Sequence, residues 1–366
     1  MELDEYAKNI KSTGFILENK ISELLSEHKW NVINNKYYID DVEKVAREID
    51  IIAYKATKVK DVQIYTSLII SCKKNEEKVW ALLSKELNKN DPNMDFEPLQ
   101  NWTNHPIIKY EMDIANTDKS ALPDGDLYDD LFKQDNHIFA FQEMYKGNGK
   151  PHNDKNIFNS ITSLMKSQSY ELASLPNRKT NRTIYFFYLV SVIDSKIILL
   201  KCSGDDVQAE EINTEVYISN YIIEGKSVSS KIKFATVIGF MNLIDSYNKL
   251  HTHNISFIEG RFTAFYKDVI TNKAKREILI KELMIKYGRE MRPLLYKNLK
   301  VFKDLKVMDV YESKGKIVVD IDSDDMGFID KLNESEDVKN EISRMITDVF
   351  KIRINDNLEF SWDIPF

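Results

Sequence analysis

"VQIYTSLIISCKK", residues 62–74, decides how this chain is read. Apolar residues fill a strand-length segment that ends in a serine, a cysteine and two lysines. Paired ammonium groups are an uncommon way to close a buried strand, because lysine is almost never fully buried without a partner. "REIDIIAY" (47–54) reads as a second strand, and the polar "KATKVKD" (55–61) as the hairpin loop between the two. Residues two apart in a strand share a face, so Glu48 pairs with Asp50 on one strand and Ser71 with Lys73 on the other. An antiparallel hairpin then brings Asp50 and Lys73 within reach of each other. Upstream, "GFILENKISELLSEHK" (14–29) sets Leu17, Ile21, Leu24, Leu25 and His28 on one side at helical spacing, with Glu18 at the edge of that stripe.

One or two carboxylates and a lysine at the end of a buried sheet suit metal-assisted phosphodiester hydrolysis. Carboxylates bind magnesium through hard oxygens. The ion polarises a phosphate and lowers the pKa of bound water, and a nearby lysine orients the water or stabilises charge developing on phosphorus.

With these residues in place, "GFILENKISELLSEHKWNV…REIDIIAY…LIISCKK" resembles the core of the PD-(D/E)XK, or restriction-endonuclease-like, nuclease superfamily. The resemblance covers residues 14–80 and implies a mixed sheet flanked by helices that extends to about 255. It implies that Asp50 is the metal-binding aspartate, Lys73 the catalytic lysine and Glu18 the helix glutamate added to the metal site. It implies Mg2+ or Mn2+ as cofactor, nucleic acid (DNA, or RNA) as substrate, and a setting in restriction or antiviral defence. The chain departs from the family pattern at Ile49, where the nominal proline would stand, and at Ser71, which replaces the second acid. Serine offers magnesium no charged ligand. Glu18 is the preferred substitute, followed by Glu48, which shares a face with Asp50, and by Glu143 at the end of "HIFAFQEMY" (137–145). Ser71 would instead hydrogen-bond a metal-bound water or a phosphate oxygen. The alternative reading is a nuclease-like fold without catalysis that binds nucleic acid or a protein.

The resemblance and the element pattern imply an α/β fold, and the composition is that of an ordinary globular protein: 366 residues, 43% hydrophobic, 30% charged, net charge −7. That balance excludes a chain that is basic throughout, but the charge is uneven. Lys146–Arg182 carries seven basic residues against two acids, Lys273–Lys303 ten against three, and Glu111–Asp135 eight acids against two lysines. The resemblance further implies that the helix following the core flanks the substrate groove, which makes Lys155, Lys166, Arg178, Lys179 and Arg182, with Lys74 at the strand end, candidate phosphate contacts. The two cysteines, Cys72 and Cys202, have no metal-type spacing and read as buried thiols in a reducing compartment. The polar start "MELDEYAKNI" does not read as a signal peptide, and no apolar run approaches membrane-spanning length. A cytoplasmic location and no membrane partner are the expectations.

Further along, "EEKVWALLSKELNK" (76–89) reads as helix, 90–136 as an irregular acidic insertion with "GDLYDD" (125–130) as an acidic loop, and 154–174 as a long amphipathic helix with Asp154 at its N-cap. Strands are expected at 182–194 and 195–203, joined as a tight hairpin at Asp194-Ser195, and at 214–223. Residues 231–251 pass from strand to helix, and "HTH" at 251–253 reads as surface loop rather than a zinc site. No Walker-type glycine loop is present. The texture changes near 255–262, so the chain is divided into a nuclease-like region, 1–257, and a smaller helical α+β accessory region, 258–366, through which a second copy or a partner protein would bind. Within it, Lys314-Gly315 marks a hairpin and 325–350 reads as helix.

Overall fold

A computed structural model describes residues 3–88, 90, 96–114, 121–354 and 357–362. The elements run α1 (Leu3–Ile10), α2 (Gly14–Glu27), β1 (Asn31–Ile39), β2 (Ala46–Val59), β3 (Val62–Lys74), β4 (Lys78–Lys85), β5 (Gln100–Thr103), α3 (Pro106–Ile114) and α4 (Asp126–Leu131). There follow β6 (His137–Tyr145), α5 (Lys155–Arg178), β7 (Thr183–Asp194), β8 (Ile197–Ser203), β9 (Asp206–Ile212), β10 (Thr214–Ile223), β11 (Lys226–Thr236) and α6 (Val237–Tyr266). The last are α7 (Lys273–Leu299), β12 (Val307–Ser313), β13 (Lys316–Ile321), α8 (Met326–Glu334), α9 (Glu336–Phe350) and β14 (Leu358–Trp362). The chain divides into two compact units: Met1–His105 with Met112–Ile258, and Pro106–Glu111 with Glu259–Phe366.

The first unit is built on a mixed seven-stranded sheet of order β1-β2-β3-β7-β11-β10, with β5 also on β7. The β2–β3 hairpin is longer than its loop-like sequence suggests. Pairing runs from Ile51↔Ile70 to Val59↔Val62, which leaves Lys60 and Asp61 as the turn. Lys60 takes up the left-handed backbone (φ 53°) that a two-residue hairpin turn requires. β7 lies parallel to β3 in continuous register from Gln63↔Thr183 to Lys74↔Asp194. Helix α5 supplies the crossover between them, as a parallel pair demands. Its Ile157, Ile161, Leu164, Met165 and Leu175 are buried in one core with Ile69 of β3 and Phe187, Leu189 and Ile193 of β7. At its start Asp154 occupies the cap position without a side-chain cap bond, and Asn153 Oδ1 accepts from Lys155 N instead.

A second, four-stranded sheet of order β6-β4-β8-β9 belongs to the same unit and was not expected. Its central strand, β4, falls where the sequence reads as helix. "VWALLS" is rich in helix formers, but Trp80, Ala81 and Leu82 are fully buried and the strand pairs with β6 on one side and β8 on the other. Burial on both faces and pairing on both edges outweigh local propensity. Nor do β7 and β8 form a hairpin. The turn at Asp194-Ser195 hands the chain from one sheet to the other, and Ser195 Oγ donates to Lys78 O at 2.5 Å.

Other readings change with the fold. Residues 126–131 are the short helix α4, not a loop. His251 and His253 lie within α6. His251 is buried, one ring nitrogen 2.9 Å from Thr57 Oγ1 and the other 2.9 Å from Thr66 Oγ1. Cys72 is buried but Cys202 is partly exposed; both are free thiols.

The second unit carries the sheet β12-β13-β14 with α7, α8 and α9. The β12–β13 hairpin turns at Lys314 (φ 50°) and Gly315 (φ 79°), as the Lys-Gly pair indicates. No helix among the described residues is long and apolar enough to cross a membrane.

Candidate active site at the end of strand β3

Asp50 is the centre of the arrangement. It stands one residue beyond the last β2–β3 pair, where the hairpin opens. Its Oδ2 accepts three bonds: from Cys72 N at 2.7 Å, from Ser71 Oγ at 3.2 Å and from Lys73 Nζ at 3.4 Å. Oδ1 makes no hydrogen bond among the described residues. The carboxylate is thus fixed through one oxygen and open through the other. The Asp50 and Lys73 side chains are 21% and 28% exposed, enough for a ligand to reach them. Lys73 is loosely held, 3.4 Å from Asp50 and 3.4 Å from Cys72 O, so its ammonium can turn to another partner.

Glu18 comes to this centre from α2. Burial raises its carboxyl pKa, the negative charges of Asp50 and Glu48 raise it further, and Lys73 opposes them. Converging carboxylates of this kind are what a bound cation relieves. Glu48 is more exposed, and its carboxylate is engaged by the Asn35 side-chain amide. The Cys72 thiol is raised well above its ordinary value by burial and then by Asp50 and Glu18, so it is an inert core group rather than a nucleophile.

Ser71 is 2% exposed and gives its proton to Asp50. Beside it in register is Ser191 of β7, whose hydroxyl lies 2.7 Å from that of Ser160 on α5. A seam of small hydroxyls therefore occupies the interior where a second acid would project.

Glu143 does not take that place. It is completely buried on β6 of the other sheet, and its carboxylate accepts from Asn75 Nδ2 at 2.8 Å and Asn156 Nδ2 at 2.9 Å. Among the described residues no three His, Cys, Asp or Glu side chains gather closely enough to hold a metal ion. Asp50 with Glu18 remains as a two-carboxylate set. Two carboxylates are too few for a closed structural site, whereas magnesium is commonly held by one or two and keeps several waters.

The candidate phosphate contacts do not form one groove. Lys74 is tied to Lys11 O and lies 2.8 Å from Glu76. Lys155 is exposed in the first turn of α5. Lys166 is a structural cation, 2.9 Å from Asp40 and 3.0 Å from Asp41, with all three side chains nearly buried. Arg178, Lys179 and Arg182 lie next to Thr183, whose partner is Gln63 at the far end of β3 from Lys73. Half of the ten cations of the basic stretch 273–303 are paired within their own unit: Lys275, Arg276, Lys286, Arg292 and Lys303 with Asp268, Asp309, Asp348, Asp304 and Asp325.

Comparison with known proteins finds no family model, no curated protein and no solved structure that matches this chain.

Proposed function

We propose that the chain is a divalent-metal-dependent nuclease whose centre is Asp50. The observation that carries this reading is the approach of Lys73 to Asp50, 3.4 Å apart at the open end of one hairpin, with one oxygen of Asp50 unengaged among the described residues and Glu18 near enough for the Asp50 charge to raise its pKa. The succession α2-β1-β2-β3, a helix, a strand, the Asp50-bearing strand and the strand that ends in Lys73, is the order that the family resemblance implies, and it supports the same reading. Asp50 Oδ1 and the Glu18 carboxylate would hold Mg2+ or Mn2+, which when bound would polarise the scissile phosphate and acidify a water. Lys73 would swing from Asp50 to orient the attacking water or to meet the charge that builds on phosphorus. Ser71 and Cys72 N keep the carboxylate of Asp50 in one orientation, so the ligand is preorganised. Substrates are DNA or RNA, and restriction or antiviral defence is the setting proposed.

A second reading has its own observation. Ser71 uses its hydroxyl on Asp50, and among the described residues no group of three acids, histidines or cysteines is close enough to hold a metal ion. A fold that has lost catalysis and kept a binding role would look the same at this position. Manganese binding separates the two. By paramagnetic resonance, wild type should bind one Mn2+ and Asp50→Asn should lose it. Mn2+ binding by Asp50→Asn as tight as by wild type, or no binding by wild type, would remove the support for a metal nuclease.

A further inference from the structure

The far end of the same sheet holds a second concave site that the nuclease reading leaves unused. A cleft of about 470 Å³ is lined by Lys58 at the end of β2, Gln63 and Tyr65 of β3, and the segment Arg178–Thr183 that joins α5 to β7. Pockets of a few hundred Å³ suit small molecules. Four cations, Lys58, Arg178, Lys179 and Arg182, converge on it against one lining carboxylate, Asp61.

Two of those cations have carboxylate partners: Arg178 with Glu171 at 2.7 Å and Arg182 with Asp61 at 2.6 Å. Lys58 and Lys179 have none among the described residues. The Lys179 ammonium instead sits 4.7 Å from the centre of the Tyr65 ring and 5.3 Å from that of Tyr185. Those rings are stacked, 4.2 Å apart and 3° from parallel, because the β3–β7 register places Tyr65 directly beside Tyr185. A lysine parked on ring faces is held in place without its charge being neutralised.

The loop beneath is also fixed. Asn104 Nδ2 donates to Lys179 O and Asn181 O at 3.2 and 2.9 Å, and Asn104 Oδ1 accepts from Thr183 N at 2.7 Å. The Gln63, Thr180 and Asn181 side chains, which also line the cleft, make no hydrogen bond among the described residues. Positive charge, unengaged polar groups and a braced loop in one cleft are a receptor for a compact anion. Repulsion among the cations is what such a ligand would offset.

We propose that this cleft binds a small phosphate-bearing ligand, its phosphate on Lys58, Lys179 and Arg182 and any remainder against Gln63, Thr180 and Asn181. Gln63 and Lys73 stand at opposite ends of β3, roughly 30 Å apart at ~3.3 Å per residue. One small molecule cannot touch both places, so this site is separate from Asp50 and does not depend on that centre being catalytic.

The test is isothermal calorimetry on the full chain with four probes: inorganic phosphate, adenosine 5′-monophosphate, adenosine and a short single-stranded oligonucleotide. The phosphate-bearing small probes should bind at about millimolar affinity or tighter. Adenosine should not bind. Phosphate binding as tightly as the nucleotide would identify the phosphate group alone as the ligand; tighter nucleotide binding would extend the ligand to the base and sugar. Lys179→Gln and, separately, the exposed Lys58→Gln should each weaken binding about tenfold, as loss of one charge-assisted contact does. Lys73→Ala should change nothing. Binding of the oligonucleotide alone, equal affinity in both lysine variants, or no heat from either phosphate probe would overturn the proposal. Circular dichroism of the two variants guards against misfolding, and Lys58→Gln, at an exposed strand end, keeps the test alive should Lys179→Gln not fold.

Discussion

Replacement of Lys166 by methionine distinguishes a phosphate contact from a structural cation. Methionine keeps the length and most of the packing of the lysine stem, so the charge is what disappears. Lys166 Nζ lies 2.9 Å from Asp40 Oδ2 and 3.0 Å from Asp41 Oδ1, and the three side chains are only 12%, 8% and 9% exposed. Removing one partner of a buried pair costs ~3–5 kcal/mol, because a buried charge is left uncompensated. Here the carboxylates retain other donors. Asp40 accepts from Val42 N and Glu43 N, and Asp41 from Glu224 N. That places Lys166→Met at the lower end, about 3 kcal/mol. The pH dependence adds a sign. Burial alone would raise the Asp40 carboxyl, but the Glu43 and Val42 N–H groups and Lys166 hold it down at about 2. A carboxyl whose folded pKa lies below its unfolded value stabilises fully above the unfolded value, and that stability is lost as the pH falls through the folded one. The deficit of Lys166→Met should therefore be largest near neutrality and shrink between about pH 4 and pH 2. Urea unfolding of both proteins at neutral and acid pH measures it. A loss below about 1 kcal/mol at neutral pH, the range of a solvent-screened pair, would refute the reasoning.

His251 gives a second pH signature. Burial, then the charge of Lys55, lowers its pKa to about 4, so the unfolded chain binds the extra proton first and stability falls as the pH drops from about 6.5 towards 4. His251→Gln should flatten that part of a urea-midpoint profile, and an unchanged slope would contradict the assignment. Gly239 in the first turn of α6 has no room for a side chain: a Cβ there would lie 2.4 Å from Asn213 O and 2.8 Å from Thr214 Cγ2. Gly239→Ala should destabilise by about 3 kcal/mol in thermal or urea unfolding, and a neutral result would mean that the β9–β10 connection yields. Glu143→Gln should cost about 2 kcal/mol, since Asn156 donates to both carboxylate oxygens and an amide nitrogen would face it either way round, and should leave Mn2+ binding intact. Loss of Mn2+ binding in a folded Glu143→Gln protein would return Glu143 to the metal set.

The sequence was most legible where local rules and tertiary structure agree. Strand alternation and one hairpin are enough to put Asp50 beside Lys73, and a helical stripe is enough to bring Glu18 near. The Lys-Gly turn of the C-terminal hairpin is equally local. β4 was illegible because "VWALLSKEL" satisfies helix propensity, while its two partner strands lie far along the chain. Lys166 looked like a surface cation because its acids, Asp40 and Asp41, sit more than a hundred residues away. The far-end cleft was hidden for a related reason. Tyr65 and Tyr185 meet only through the parallel register of β3 and β7, and nothing in "QIY" or "TIYFF" announces that pairing. The "HTH" stretch misled in the opposite direction, since its polar letters suggest a loop and its helix buries His251 against two threonines.

The most direct test of Asp50 as a catalytic centre is cleavage of plasmid, linear duplex and single-stranded DNA and of RNA, with Mg2+ or Mn2+ and with chelator, by wild type, Asp50→Ala and Lys73→Ala. Metal-dependent cleavage by wild type that falls by at least about a hundredfold in each variant is the expected result. Cleavage that persists in Asp50→Ala, or a folded wild type that binds Mn2+ yet cuts none of these substrates, would contradict it.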